Sequence, residues 1–186
     1  MLIYDKEMVK KFIEILYPEE FTDREVGVLQ LFTRNKYLKD TEFFKKGHRT
    51  NQCIEQMIMK KSDPEYILKK MQRIAVNEKL EGLPKEAFVF YLSFVAFDVV
   101  QAYLTLTNDM TNKLSNVLKN DFNALKGLKN LSKEYFSALM KKGNQCKGFW
   151  RDIDFDNKDP EQIRKMESVL PPGSIKVYTK NGFHYL

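Results

Sequence analysis

The chain has 186 residues, of which 43% are hydrophobic and 30% are charged, and its formal net charge is +6. This length suffices for one domain or two small lobes with a buried core, and the basic balance favours anionic partners. Two cysteines are too few for a disulfide framework, the charged start does not fit a signal peptide, and the apolar run over 87–97 is shorter than the about 20 residues that span a bilayer.

The first 110 residues predict a mixture of helices and strands, because apolar residues recur at helical spacing in some segments and run continuously in others. The expected elements are, in chain order, a helix over 6–17, a strand over 26–33, a helix that begins at Asp63-Pro64, a strand over 87–92 and a helix over 99–118. The fold class that they indicate is α/β (α+β), with a helix-rich N-terminal part.

The positive charge is concentrated between residues 110 and 150, where eight lysines stand against two acidic residues. A lysine-rich, largely helical segment suits a nucleic-acid phosphate backbone, although a solvated helical face or surface ion pairing explains the same residues. The candidate nucleic-acid contacts, with two basic residues from the N-terminal part, are Arg34, Lys36, Lys126, Lys129, Lys133, Lys141 and Lys142. No repeat or linker separates domains, so we expect one unit over 1–186, with lobes over 1–110 and 111–186.

Residues 149–156 predict a strand that carries carboxylates. Side chains alternate between the faces of a strand, so Asp152 and Asp154 share one face, about 7 Å apart at the backbone. Ionised carboxylates placed in this way repel one another unless a cation lies between them, and hard oxygen ligands favour Mg²⁺ or Mn²⁺. Phosphate chemistry is then the leading interpretation.

The acidic segment has two other interpretations. Asp152, Asp154 and Asp156 match the opening of an EF-hand calcium loop. However, Asn157 stands where that loop needs glycine, and Ile163 stands where it needs its closing glutamate. In the other interpretation, the acidic residues simply lie on the exposed face of an edge strand, which is the more frequent explanation of an isolated D-x-D.

A helix and a hairpin follow the carboxylate strand. Asp159-Pro160 predicts the start of the helix, and Pro171-Pro172-Gly173 predicts its end. A strand is expected over 174–178, and Asn181-Gly182 favours a type I′ turn. His184 is therefore expected just past a tight turn.

The order of strand, helix and hairpin, with D-x-D at Asp152 and Asp154 and T-x-x-G-x-H over 179–184, resembles the archaeo-eukaryotic primase superfamily, in its primase-polymerase branch common in phages and plasmids. The resemblance implies an RRM-like β-α-β-hairpin in which Asp152 and Asp154 bind catalytic Mg²⁺ or Mn²⁺. The nucleotide phosphates would be bound by a second group of residues, namely His184, Gly182, Thr179 and Lys180.

The resemblance further implies template-directed nucleotidyl transfer in DNA replication, with a DNA template and nucleoside triphosphates as partners. A helicase or the remainder of a longer polypeptide is a further expected partner, in the cytoplasm of a bacterium or of the host cell of a virus or plasmid. The family's third acidic motif would lie beyond Leu186, so we expect a chain truncated at its C-terminus with an incomplete metal site. The alternatives are a non-catalytic nucleic-acid-binding module or regulatory fragment of a replication protein, and a metal-dependent nuclease or phosphatase.

Overall fold

A computed structural model of the chain describes residues 5–34, 52–76, 87–148, 153–155, 157–178 and 183–185. These residues form helices and antiparallel strands, which confirms the α+β class. The chain divides into two units, Met1–Lys147 and Gly148–Leu186. Residue 110, where we expected a boundary between lobes, lies within a continuous helix.

The first unit contains most of the elements. Its helices are α1 (Lys6–Leu16), α2 (Pro64–Ala75), α3 (Val99–Leu118), α4 (Leu125–Leu128) and α5 (Leu131–Leu139). Its strands are β1 (Glu25–Thr33), β2 (Gln52–Met59), β3 (Phe88–Leu92), β4 (Val95–Asp98) and β5 (Gln145–Gly148), whose last residue belongs to the second unit. The predictions of α1, β1, α2, β3 and α3 are confirmed, whereas β2, β4 and β5 were not predicted.

Strand β1 lies at the centre of the first unit's sheet. It pairs antiparallel with β2 along one edge and with β3 and then β4 along the other, and β5 lies beside β4. Val26 and Val28 belong to a buried cluster with Ala102 of α3 and Phe136 of α5. Alternation directs Leu29 to the opposite face, where it is fully buried. Burial on both faces explains why this strand is apolar at nearly every position.

The apolar run over 87–97 forms two strands separated by a bulge, where we expected one strand over 87–92. Strand β1 pairs Leu29 with Leu92 but Val26 with Phe97. Between these two pairs the run over 87–97 advances by five residues, whereas β1 advances by three. Two extra residues on one strand interrupt the ladder and bend it locally. Strands β3 and β4 therefore pair with the same edge of β1 in two successive segments.

Ser93 supplies the hydrogen bonds that the interrupted ladder lacks. The Val28 N–H donates to Ser93 Oγ at 2.9 Å, and the Ser93 N–H donates to the Val28 carbonyl at 3.0 Å. The Tyr17 hydroxyl, at the end of α1, donates to the Ser93 carbonyl at 2.8 Å. Burial raises the pKa of this phenol, and the hydrogen bond to Ser93 only partly opposes the rise. The hydrogen bond between Tyr17 and Ser93 therefore connects the end of α1 to the sheet at the bulge.

The second unit is a small antiparallel sheet with one helix. Its elements are β6 (Ile153–Phe155), α6 (Pro160–Glu167), β7 (Lys176–Tyr178) and β8 (Phe183–Tyr185). Strand β8 lies between β6 and β7, and both pairings are antiparallel. This is the expected order of strand, helix and hairpin.

Local signals fix the helix of this unit and the turn after it. Asp159 caps α6 by accepting the Glu161 N–H at 2.9 Å, and Pro160 occupies the first turn, as predicted. Gly173, in the segment predicted to end the helix, has a φ of 88°, a conformation that favours glycine. The predicted type I′ turn at Asn181-Gly182 lies outside the described residues. Among the described residues, no helix is long and apolar enough to cross a membrane.

Candidate functional site

The two faces of the second unit's sheet carry different chemistry. Asp154 of β6 and His184 of β8 are directly opposite each other in the antiparallel register, so their side chains share one face. Phe183 and Tyr185 flank His184 in β8, and alternation directs both rings to the other face. The sheet therefore separates a polar face, with a carboxylate and an imidazole, from an aromatic face.

The carboxylate and the imidazole on the polar face lie close together and reach solvent. His184 Nε2 is 3.7 Å from Asp154 Oδ1. The Asp154 side chain is 57% exposed and that of His184 is 33% exposed. Their separation is longer than a hydrogen bond, so the attraction between them depends on protonation of the imidazole. An exposed acidic oxygen beside an imidazole suits a cation and an anionic ligand that bind together.

The aromatic face is joined to the end of helix α6. Lys176 Nζ of β7 lies 2.8 Å from Glu167 Oε1, and the Tyr185 hydroxyl donates to the same oxygen at 3.2 Å. Lys176 Nζ also lies 4.0 Å from the centroid of the Phe183 ring. The end of α6 thus contacts the face opposite to Asp154 and His184, which leaves the polar face uncovered by this helix.

The network at Glu167 shifts the pKa values of its members. The hydrogen bond from Lys176 lowers the pKa of the Glu167 carboxyl, and the same bond raises the pKa of Lys176. Burial raises the pKa of the Tyr185 phenol, and its hydrogen bond to Glu167 adds to the rise. The sequence did not predict this network, because its three members lie on separate elements and show no common motif.

Two of the predicted catalytic and nucleotide-binding residues are described by the structure, and it brings them together. Asp154 and His184 are neighbours across the β6–β8 pairing. Asp152, Thr179, Lys180 and Gly182 lie outside the described residues. Within the described part of the chain, no group of three acidic, histidine or cysteine side chains is placed to hold a metal ion.

The predicted nucleic-acid contacts belong to the first unit and differ in their surroundings. The Arg34 N–H donates to the Ala87 carbonyl at 2.8 Å, and the Arg34 guanidinium lies 5.8 Å from the Tyr91 ring centroid. Lys141 Nζ pairs with Asp109 Oδ2 at 2.6 Å, so the positive charge of Lys141 is locally compensated. Lys36 lies outside the described residues.

Four other lysines of this set are exposed and carry uncompensated charge. They lie along and after α4 and α5, and within the described ranges they make no ion pair. They are Lys126, Lys129, Lys133 and Lys142. These four side chains therefore contribute much of the basic character of this segment.

In comparisons with known proteins, no protein-family model matches the chain, and neither the curated proteins nor the solved structures give a match. The assignment of a function therefore depends on the residues and their arrangement.

Proposed function

We propose that this chain is the catalytic region of a DNA primase-polymerase of the archaeo-eukaryotic primase type, which carries out template-directed nucleotidyl transfer in replication. The observation that carries the proposal is the cross-strand pair of Asp154 and His184, on the sheet face that α6 leaves uncovered. Nucleotidyl transfer needs a carboxylate for a metal ion next to a group that contacts phosphate, because the metal and the triphosphate share oxygen atoms.

The donor types fit Mg²⁺ or Mn²⁺. Asp154 offers an exposed hard oxygen, and the sequence pattern predicts Asp152 as a second ligand of the same type. Mg²⁺ or Mn²⁺ held here would neutralise the triphosphate and activate the primer 3′-hydroxyl. The two aspartates would hold the ion, and the His184 imidazole would donate a hydrogen bond to a phosphate oxygen.

The proposal is tested by extension of a labelled primer on a DNA template with dNTPs and Mn²⁺. Asp152→Ala with Asp154→Ala is expected to abolish metal-dependent synthesis and to leave the protein folded, because Asp154 is exposed. Glu161→Gln is the matched control, since Glu161 is an exposed carboxylate of the same unit that pairs with Lys165 on α6. Unchanged synthesis by the double variant would contradict the proposal.

The products of the same reaction distinguish synthesis from degradation. Extended primers would support the primase-polymerase assignment. Degradation of the primer in place of extension would favour a nuclease that uses the same carboxylates.

The four exposed lysines favour a second candidate, a nucleic-acid-binding module without catalysis. Lys126, Lys129, Lys133 and Lys142 provide charge that no acidic side chain of the described residues neutralises. These lysines would bind the phosphate backbone, so the affinity would fall as added salt reduces the gain from releasing counterions. Such binding would not depend on Mn²⁺ or on the two aspartates.

Titration of a labelled single-stranded oligonucleotide at several salt concentrations separates the two candidates. Lys129→Gln with Lys133→Gln is expected to reduce the slope of log K against log salt by about 0.7 for each phosphate that the variant no longer neutralises. Binding that survives Asp152→Ala with Asp154→Ala, without any synthesis, would favour the binding module. Tight binding that needs Mn²⁺ and both aspartates would favour the enzyme.

A further inference from the structure

The outward face of helix α3 has no charged side chain. In a chain of which 30% is charged, the 20 residues of this helix include only Asp109 and Lys113 as charged residues. Both are used inside the first unit, because Asp109 pairs with Lys141 and Lys113 pairs with Glu134 of α5. Solvated helices normally carry charges on their outer face, so this surface is unusual for one that faces water.

Six exposed residues of α3 form a narrow row, which we call the α3 seam. Successive members are separated by four, three, four, three and four positions, the heptad spacing of a coiled coil. At 3.6 residues per turn they all lie within about 40° of one direction on the helix. The members are Val100, Leu104, Thr107, Thr111, Leu114 and Leu118.

The seam is apolar towards both ends, and two threonines lie at its centre. Val100, Leu104, Leu114 and Leu118 are 44%, 55%, 53% and 86% exposed. The Thr107 hydroxyl donates to the Tyr103 carbonyl at 2.9 Å, and the Thr111 hydroxyl donates to the Thr107 carbonyl at 2.9 Å. The two hydroxyls are satisfied within the helix, so a partner that covers the seam leaves no threonine group without a hydrogen bond.

The spacing of the seam is the same when it is read from either end. A two-fold axis at residue 109 matches Val100 with Leu118 of a second helix. The same axis matches Leu104 with Leu114 and Thr107 with Thr111, so every apolar residue meets an apolar residue. An antiparallel arrangement also places opposite ends of the helix dipoles together, which a parallel pair does not.

We propose that α3 is the interface of an antiparallel, two-fold symmetric dimer, in which the seam of one copy packs on the seam of a second copy of this chain. The self-matching register is the argument for a second copy, because an isologous interface requires a surface complementary to itself. The absence of charge on the seam disfavours a charged partner such as nucleic acid.

The size of this interface indicates a weak, reversible dimer. The helix is about 30 Å long, and side chains make it about 10 Å wide. Two such strips cover about 600 Å² in total, which is less than the about 1,000 Å² that stable specific interfaces bury. We expect a reversible dimer, visible by sedimentation equilibrium at protein concentrations from about 1 μM to about 1 mM.

Charge substitutions test both the surface and the orientation. Leu104→Glu and Leu114→Lys each place an unpaired charge in the seam, and each is expected to raise the dimer Kd by more than about tenfold. In the antiparallel dimer residue 104 faces residue 114, so the double variant Leu104→Glu with Leu114→Lys pairs opposite charges and restores the dimer. Asn112→Glu, exposed on α3 but outside the seam, is the control and is expected to leave the Kd unchanged.

Each outcome decides the proposal. Loss of the dimer in the single variants with recovery in the double variant supports it, provided that circular dichroism shows the same helix content throughout. A protein whose mass stays at 22.0 kDa at every concentration overturns it. A dimer that Leu104→Glu leaves intact uses another surface and also overturns it, as does a double variant that stays monomeric.

Discussion

Lys176 of β7 is held 2.8 Å from Glu167 at the end of α6, and this ion pair joins the helix to the aromatic face of the second unit's sheet. The contact stabilises β7 and β8, and β8 carries His184 on the opposite face of the sheet. It also makes the stability of this unit depend on pH.

Glu167→Gln is expected to destabilise the second unit near neutral pH and to have little effect in acid. The pKa of Glu167 is lower in the folded protein than its ordinary value of 4.5, because Lys176 stabilises the carboxylate. Its contribution is therefore present above the unfolded pKa and is lost as the pH falls through the folded pKa. Amide hydrogen exchange of β8 at about pH 7 and below about pH 3 measures the difference.

Glu161→Gln is the control for this pH effect. Glu161 lies on the same helix, but its partner Lys165 is one turn away on that helix and does not join it to the sheet. If the two substitutions had the same pH profile, the role assigned to the Glu167 and Lys176 pair would be wrong. We expect only Glu167→Gln to show a loss of stability that depends on pH in this way.

Gly27→Ala is expected to destabilise the first unit by overpacking. A Cβ at residue 27 would lie 2.6 Å from Met59 Cε and 3.1 Å from Phe21 Cζ, and Met59 is fully buried. Inserting a methyl group into a filled core costs about 1 to 3 kcal/mol, and the flexible methionine favours the lower part of that range. Urea unfolding of the variant and of the wild type gives the free energy difference.

Gly143→Ala is the matched control for that substitution. No atom lies within 4 Å of the position that its Cβ would take, so the free energy of unfolding is expected to change by less than about 0.5 kcal/mol. Equal losses of stability in the two variants would show that the close packing around Gly27 is not the cause.

Asp98→Ala and Asp98→Asn are expected to have different effects, because Asp98 has two roles. Its Oδ1 accepts the Val100 and Gln101 N–H groups at the start of α3, and its Oδ2 lies 2.6 Å from Arg24 Nη2. Alanine loses the cap and the ion pair, whereas asparagine keeps a good cap. We expect Asp98→Ala to cost about 1 kcal/mol more than Asp98→Asn in thermal or urea unfolding.

The pH dependence of this position has a defined sign. Burial opposes the charged form of Asp98, but the hydrogen bonds from Gln101 and Val100 and the Arg24 guanidinium outweigh it and lower its pKa. The stabilisation is present above the unfolded pKa and is lost as the pH falls through the lower folded pKa. Wild type and Asp98→Asn should therefore converge in stability in acid, and a constant difference between these two proteins across pH would contradict this explanation.

The sequence predicted the elements whose boundaries are marked by particular residues, such as a capping carboxylate or a proline in the first turn. Asp63-Pro64 and Asp159-Pro160 combine a capping carboxylate with proline in the first turn, and both helices begin there. Strand β2, Gln52–Met59, mixes polar and apolar residues without clear alternation, so its strand conformation depends on pairing with β1. The bulge at Ser93 was missed for the same reason, because only the partner strand reveals the two extra residues.

The sequence pattern of the candidate site predicts that Asp152 and Asp154 share a strand face and that His184 follows a tight turn. Asp152 and the residues of that turn lie outside the described residues. That Asp154 and His184 are directly opposite depends on the register between strands about 30 residues apart, which no local pattern specifies. The Glu167 network has the same origin in tertiary structure.

The central claim is that Asp154 and His184 belong to one site for a metal ion and a nucleoside triphosphate. Titration calorimetry of a dNTP in the presence of Mn²⁺ tests this claim most directly, with wild type, His184→Ala, Asp152→Ala with Asp154→Ala, and the Glu161→Gln control. We expect Mn²⁺-dependent binding that both site variants weaken by at least about tenfold and that the control retains. Binding that is equal in all four proteins, or that does not depend on Mn²⁺, would contradict the account.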